Sequence, residues 1–151
     1  MATLYETVCK FFTDDEWYFV RMDNRSMLQM GFQGKNGKWT CYAQVNEDQS
    51  LFFFYSVCPV NIPEERRLAV AEYLTRANYG LKIGNFEMDF SDGEVRYKTS
   101  VDVERAELTP ALISNMVYAN VWTLDHYLPG ILAVSYGNKT ALEAIEEVEN
   151  N

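Results

Sequence analysis

The sequence predicts an α+β domain: an antiparallel sheet of five to six strands with helices packed mainly on one face. Three observations predict it. Two turn pairs, Asn36-Gly37 and Asp92-Gly93, each sit between runs that alternate apolar and polar residues, which marks a tight hairpin. Segments with apolar residues at helical spacing stand before, between and after the strand-like runs. The 151 residues are 48% hydrophobic and 15% aromatic, which suffices for one packed core, so residues 1–151 read as a single domain.

Taken in order, residues 3–12 (TLYETVCKFF) place Leu4, Val8, Phe11 and Phe12 on one helical stripe, and Thr13-Asp14-Asp15 ends that helix. Residues 16–22 (EWYFVRM) are aromatic and β-branched and read as a strand. Asp23-Asn24-Arg25-Ser26 is a polar turn. Residues 27–46 form a hairpin. A type I′ turn at Asn36-Gly37 pairs Phe32 with Cys41, Met30 with Ala43, and Leu28 with Val45. Its other face carries Gln29, Gln33, Thr40, Tyr42 and Gln44, polar but uncharged. Residues 51–58 (LFFFYSVC) are apolar on both faces, so this strand is either central beneath helices or shows aromatics to a partner.

A helix is expected from Asn61, which caps, through Pro63 and Glu64 in the first turn to Asn78 or Gly80. Its stripe is Val70, Ala71, Leu74, Ala77 and Leu81. The second hairpin turns at Asp92-Gly93. A type I′ turn there sets Phe90 opposite Val95, Met88 opposite Tyr97, and Phe86 opposite Thr99. On the other face Asp89 meets Arg96, Glu87 meets Lys98, and Asn85 meets Ser100. Paired charges of this kind are a solvated sheet face rather than an acid–base site. Thr109 caps a long helix with Pro110 in its first position. Its stripe is Ile113, Val117, Asn120, Val121, Leu124 and Leu128, widened by Leu112, Met116 and Tyr127. Pro129-Gly130 kinks or breaks it, and Gly137 stops it. Thr140 and Glu143 form a capping box for a last helix carrying Leu142, Ile145 and Val148. The order is α-β-β-β-β-α-β-β-α-α.

A net charge of −9 argues against nucleic acid, whose phosphates need clustered Lys and Arg, and against an anionic membrane surface. No apolar run is long enough to cross a bilayer, and the N-terminus lacks a signal-peptide pattern. Cys9, Cys41 and Cys58 are odd in number and widely spaced. They read as reduced, buried thiols of a cytoplasmic protein.

Chemistry is sparse. His126 is the single histidine, so no metal site of the usual His and Cys kinds is expected. Asp125 and His126 are neighbours on a helix, so their side chains diverge. No phosphate loop, dinucleotide fingerprint or nucleophile elbow is present. The run Asp89 to Glu94 lacks the spacing of a calcium loop. No catalytic residue and no cofactor is expected.

Two stretches carry a family resemblance. One is N-x-G-L-x-x-G-x-F-E-x-D-x-x-D-G-E-V-R-Y from Asn78 to Tyr97, and the other is L-D-x-Y-x-P from Leu124 to Pro129. With their surroundings, over residues 4–148, they resemble the YbjN family of bacterial sensory transduction regulators. The resemblance implies a type III secretion chaperone-like fold with a curved antiparallel sheet, a bacterial cytosolic setting and a protein-binding role. It carries no catalytic residue across.

Together these readings give a non-enzymatic protein-interaction module, chaperone-like or regulatory. The candidate protein-binding surface is Gln29, Gln33, Thr40, Tyr42 and Gln44 with Phe52 and Phe54. Its occupant is a protein partner, with homodimerisation as a second use of the surface. The alternative is a small-molecule sensor or enzyme with a pocket between helices and sheet, lined by Tyr118, Trp122, Asp125 and His126.

Overall fold

The computed structural model describes residues 2–22 and 26–150. The elements are α1 (Leu4–Asp14), β1 (Phe19–Arg21), β2 (Met27–Gln33), β3 (Lys38–Asn46), β4 (Leu51–Val57), α2 (Arg67–Asn78), β5 (Asn85–Asp89), β6 (Glu94–Asp102), α3 (Pro110–Tyr136) and α4 (Ala141–Glu149). The six strands make one antiparallel sheet in the order β1-β2-β3-β4-β6-β5. The expected element order therefore holds. Of the expected turn at residues 23–26, all but Ser26 lies outside the described residues.

The helices cover one face of the sheet. Strand alternation turns Leu28, Met30, Cys41, Ala43, Val45, Phe52, Phe54, Val95 and Tyr97 to that face, and all are buried. They meet Val8 and Phe12 of α1, Val70, Tyr73 and Leu74 of α2, and Ile113, Val117, Val121, Leu124 and Leu128 of α3 in one core. Asn120 of α3 is the polar tie between the layers. Its amide donates to the Phe54 carbonyl at 2.8 Å, the Tyr97 carbonyl at 3.1 Å and Thr99 Oγ1 at 3.2 Å. Thr99 in turn donates to the Met116 carbonyl at 3.0 Å. α4 lies across α2 and α3, burying Ala141, Ala144, Ile145 and Val148.

The helix caps follow the sequence. Thr109 accepts from the Leu112 amide at 3.1 Å. Thr140 and Glu143 bond each other's backbone amides at 3.1 and 2.9 Å. α3 runs unbroken through Pro129. Several expectations are corrected. Asn61 does not cap α2, because its side chain donates to the Asp92 carbonyl, and the helix begins through a 3-10 turn at Glu64–Arg66. Leu142 is exposed, its place on the buried stripe taken by Ala141 and Ala144. The left-handed residue after α3 is Asn138 (φ 58°), not Gly137. The first strand is confined to Phe19–Arg21, because Glu16 (φ 62°) reverses the chain and the Trp17 amide bonds back to Phe12.

Both hairpins pair two residues away from the expected register. In the first, Phe32 faces Trp39, Met30 faces Cys41 and Leu28 faces Ala43. The tip is Lys35-Asn36, closed by Gly34 donating to Gly37 at 2.8 Å, and neither Asn36 nor Gly37 takes a positive φ. In the second, Phe86 faces Tyr97, Met88 faces Val95 and Glu87 faces Arg96, around a four-residue loop, Phe90 to Gly93. Only Gly93 there has a positive φ, 78°. The Asp89 carboxylate accepts from the Ser91 amide at 2.9 Å and hydroxyl at 2.6 Å, so Asp89 builds the turn rather than pairing with Arg96. A shift of two leaves every side chain on its expected face.

Candidate functional site

The face of the sheet away from the helices is uncovered. Rows of side chains cross it from strand to strand. Val20, Gln29, Tyr42, Tyr55, Lys98 and Asn85 form one row, and Met27, Gln44, Phe53 and Ser100 the next. Thr40 and Gln33 stand at its far end, lining an open groove of about 600 Å³ with Trp39, Val57 and Pro59. The sheet thus brings Gln29, Gln33, Thr40, Tyr42 and Gln44 together on one surface.

Phe52 and Phe54 do not join them. Both are 0% exposed and face the helices, with the Phe54 ring stacked on Phe12 at 6.0 Å. The correction has a physical origin in the register of β4. Pairing Cys41 with Ser56 and Ala43 with Phe54 turns Phe52, Phe54 and Ser56 inward, and Phe53 and Tyr55 outward. The sequence leaves this register open, because the loop before β4 shows no clear turn type, and Ser56 is the one polar residue of the inward set. It is tolerated inside because its hydroxyl lies 3.5 Å from Cys41 Sγ.

The outward aromatics are ordered. Phe53 and Tyr55 stack nearly parallel, 6.0 Å apart with 5° between planes. The Arg96 guanidinium lies 4.2 Å over the Tyr55 ring, within cation–π range. Glu87 holds Arg96 at 2.5 Å and Lys98 at 3.5 Å. Burial pushes the Tyr55 hydroxyl above its ordinary value, with Arg96 pulling it down and Glu87 adding to the rise. The surface is therefore an aromatic stripe over β3 and β4, with neutral amides on one side and, on the other, Glu87 shared between Arg96 and Lys98. Such a surface buries apolar area against a partner at little cost in charge desolvation.

The four residues of the alternative pocket share no one cavity, although Tyr118 and Trp122 meet with ring centroids 5.3 Å apart. Asp125 accepts the backbone amides of Lys35 and Asn36 at 3.0 and 2.8 Å. Tyr118 donates to Asp15 at 2.6 Å, and Trp122 is 64% exposed. Of the four, His126 alone lines the cleft of about 300 Å³ with Asn36, Pro129, Gly130, Ala133 and α4 residues. That cleft lies beside α4, not between helices and sheet. Among the described residues, no cluster of His, Cys, Asp and Glu could hold a metal ion, and no helix is long and apolar enough to cross a membrane.

Cys9, Cys41 and Cys58 are free and buried. Desolvation raises the Cys41 thiol to about 12 and the Cys58 thiol to about 11, so neither is a thiolate near neutral pH.

Comparison with known proteins agrees with this architecture. The model of the YbjN family, described as "Putative bacterial sensory transduction regulator", matches residues 4–133. No curated protein matches the sequence. Among solved structures, E. coli YbjN is 10% identical with a TM-score of 0.61, covering 99% of this chain and 96% of that one. A chain of the ExsC–ExsE complex is 11% identical with a TM-score of 0.56, covering 83% and 91%. A chain of the HopA1–SchA chaperone–effector complex is 15% identical with a TM-score of 0.50, covering 78% and 87%. The fold is the type III secretion chaperone-like α+β fold.

Proposed function

This chain belongs to the YbjN family, and from that premise we propose that it is a non-enzymatic protein-interaction module, chaperone-like or regulatory, working in the cytoplasm. The observation that carries the reading is the uncovered sheet face with Tyr42, Phe53 and Tyr55 at its centre. A one-sided sheet normally turns polar residues to water, and an aromatic stripe across its two middle strands fits a partner instead. Two fold neighbours support the same reading: ExsC is paired with ExsE in one complex, and HopA1 with SchA in a chaperone–effector complex. Three free, buried cysteines fit a reducing compartment.

In this reading the partner's apolar side chains pack on Phe53 and Tyr55, while Gln29, Gln44 and Thr40 supply donors and acceptors at the rim. Arg96 and Lys98, held by Glu87, bound the surface on the β5 side. A photo-crosslinking residue at position 55 tests it in native cytosol. The expected result is a discrete protein adduct that is absent when the probe stands at position 122 on the helix side. Adducts at 122 and none at 55 would move the binding surface to the helices.

A further inference from the structure

We draw no further inference here: the strongest candidate, the open groove of about 740 Å³ between α1 and the segment leading into α3, lined by Leu4, Thr7, Phe11, Leu108 and Pro110, is an apolar surface patch, and nothing in the structure shows what covers it.

Discussion

The Asn36 side-chain amide donates to the Asp125 carbonyl at 2.9 Å, the carbonyl four residues before Pro129. Proline has no N–H, so α3 cannot satisfy that carbonyl from within. The hairpin tip supplies the missing donor. Asp125 returns the favour by accepting the Lys35 and Asn36 backbone amides on its carboxylate. Gly34 leaves room for this approach: a Cβ there would lie 2.3 Å from Asp125 Oδ1 and displace the carboxylate. The sheet and α3 are clamped together at this end, as Asn120 ties them at the centre.

The clamp predicts coupling between Asn36 and Pro129. Asn36→Ala is expected to destabilise the protein by about 1 kcal/mol, the worth of one partly exposed hydrogen bond. In a Pro129→Ala background position 129 can donate to Asp125 itself, and the cost of Asn36→Ala should fall toward zero. Urea unfolding of the four chains of this cycle checks it. Equal costs in both backgrounds would separate the two residues.

Asp125→Ala removes two acceptor contacts at once and is expected to cost about 2 kcal/mol, in the range for hydrogen bonds to a charged group. Amide exchange at Lys35 and Asn36 should accelerate with it, while the amides of β4 keep their protection. Acceleration across the whole sheet would mean that the clamp holds more than the tip.

The Asn78 side chain imitates a strand beside β5: its oxygen accepts from the Phe86 amide at 2.7 Å and its amide donates to the Phe86 carbonyl at 3.1 Å. Asn78→Ala is expected to unplug that edge. The Phe86 amide should exchange faster, and the variant should self-associate where the native edge does not. Native-state hydrogen exchange and light scattering read the two effects. An unchanged Phe86 amide would show that the Asn78 contact protects nothing.

Burial of the thiols predicts an alkaline loss of stability. Folded Cys41 and Cys58 titrate at about 12 and about 11, above an unfolded cysteine at about 8.5. A folded value raised above the unfolded one gives stability that is whole below the unfolded value and is lost as pH rises past it. Stability should therefore fall from pH about 8.5 up to about 12, with Cys58 contributing up to about 11. Cys41→Ala should flatten that slope, whatever its cost at neutral pH. An unchanged slope in the variant would assign the loss to other groups, such as Tyr73 and Tyr127, whose hydroxyls burial also raises.

The fold was legible where the signal is local. Thr109-Pro110 and Thr140 with Glu143 mark helix starts through their own side chains, and the structure keeps both. The alternation of β2, β3, β5 and β6 assigned their faces correctly. Register was not legible, because its causes lie elsewhere in the chain or in turn chemistry. Asp125, distant in sequence, holds the first tip, and Asp89 folds back on Ser91 in the second. The same limit reached the candidate site. The polar residues of the first hairpin were identified, but the loop before β4 shows no clear turn type and left its register open, so Phe52 and Phe54 were named where Phe53 and Tyr55 stand. The family stretch from Asn78 to Tyr97 is mostly structural: Asn78 plugs an edge, Gly93 takes a left-handed turn, and Tyr97 donates to the Ile83 carbonyl at 2.6 Å.

The central claim, that the uncovered sheet face binds protein, is tested most directly by affinity capture from native cytosol with three full-length chains. These are the wild type, Tyr42→Glu with Tyr55→Glu on the face, and Trp122→Ala on the helix side, compared at matched melting temperature. The account predicts the same co-purifying protein on the wild type and on Trp122→Ala, and its loss from the face variant. A partner retained by the face variant, or no partner on any of the three, would contradict it.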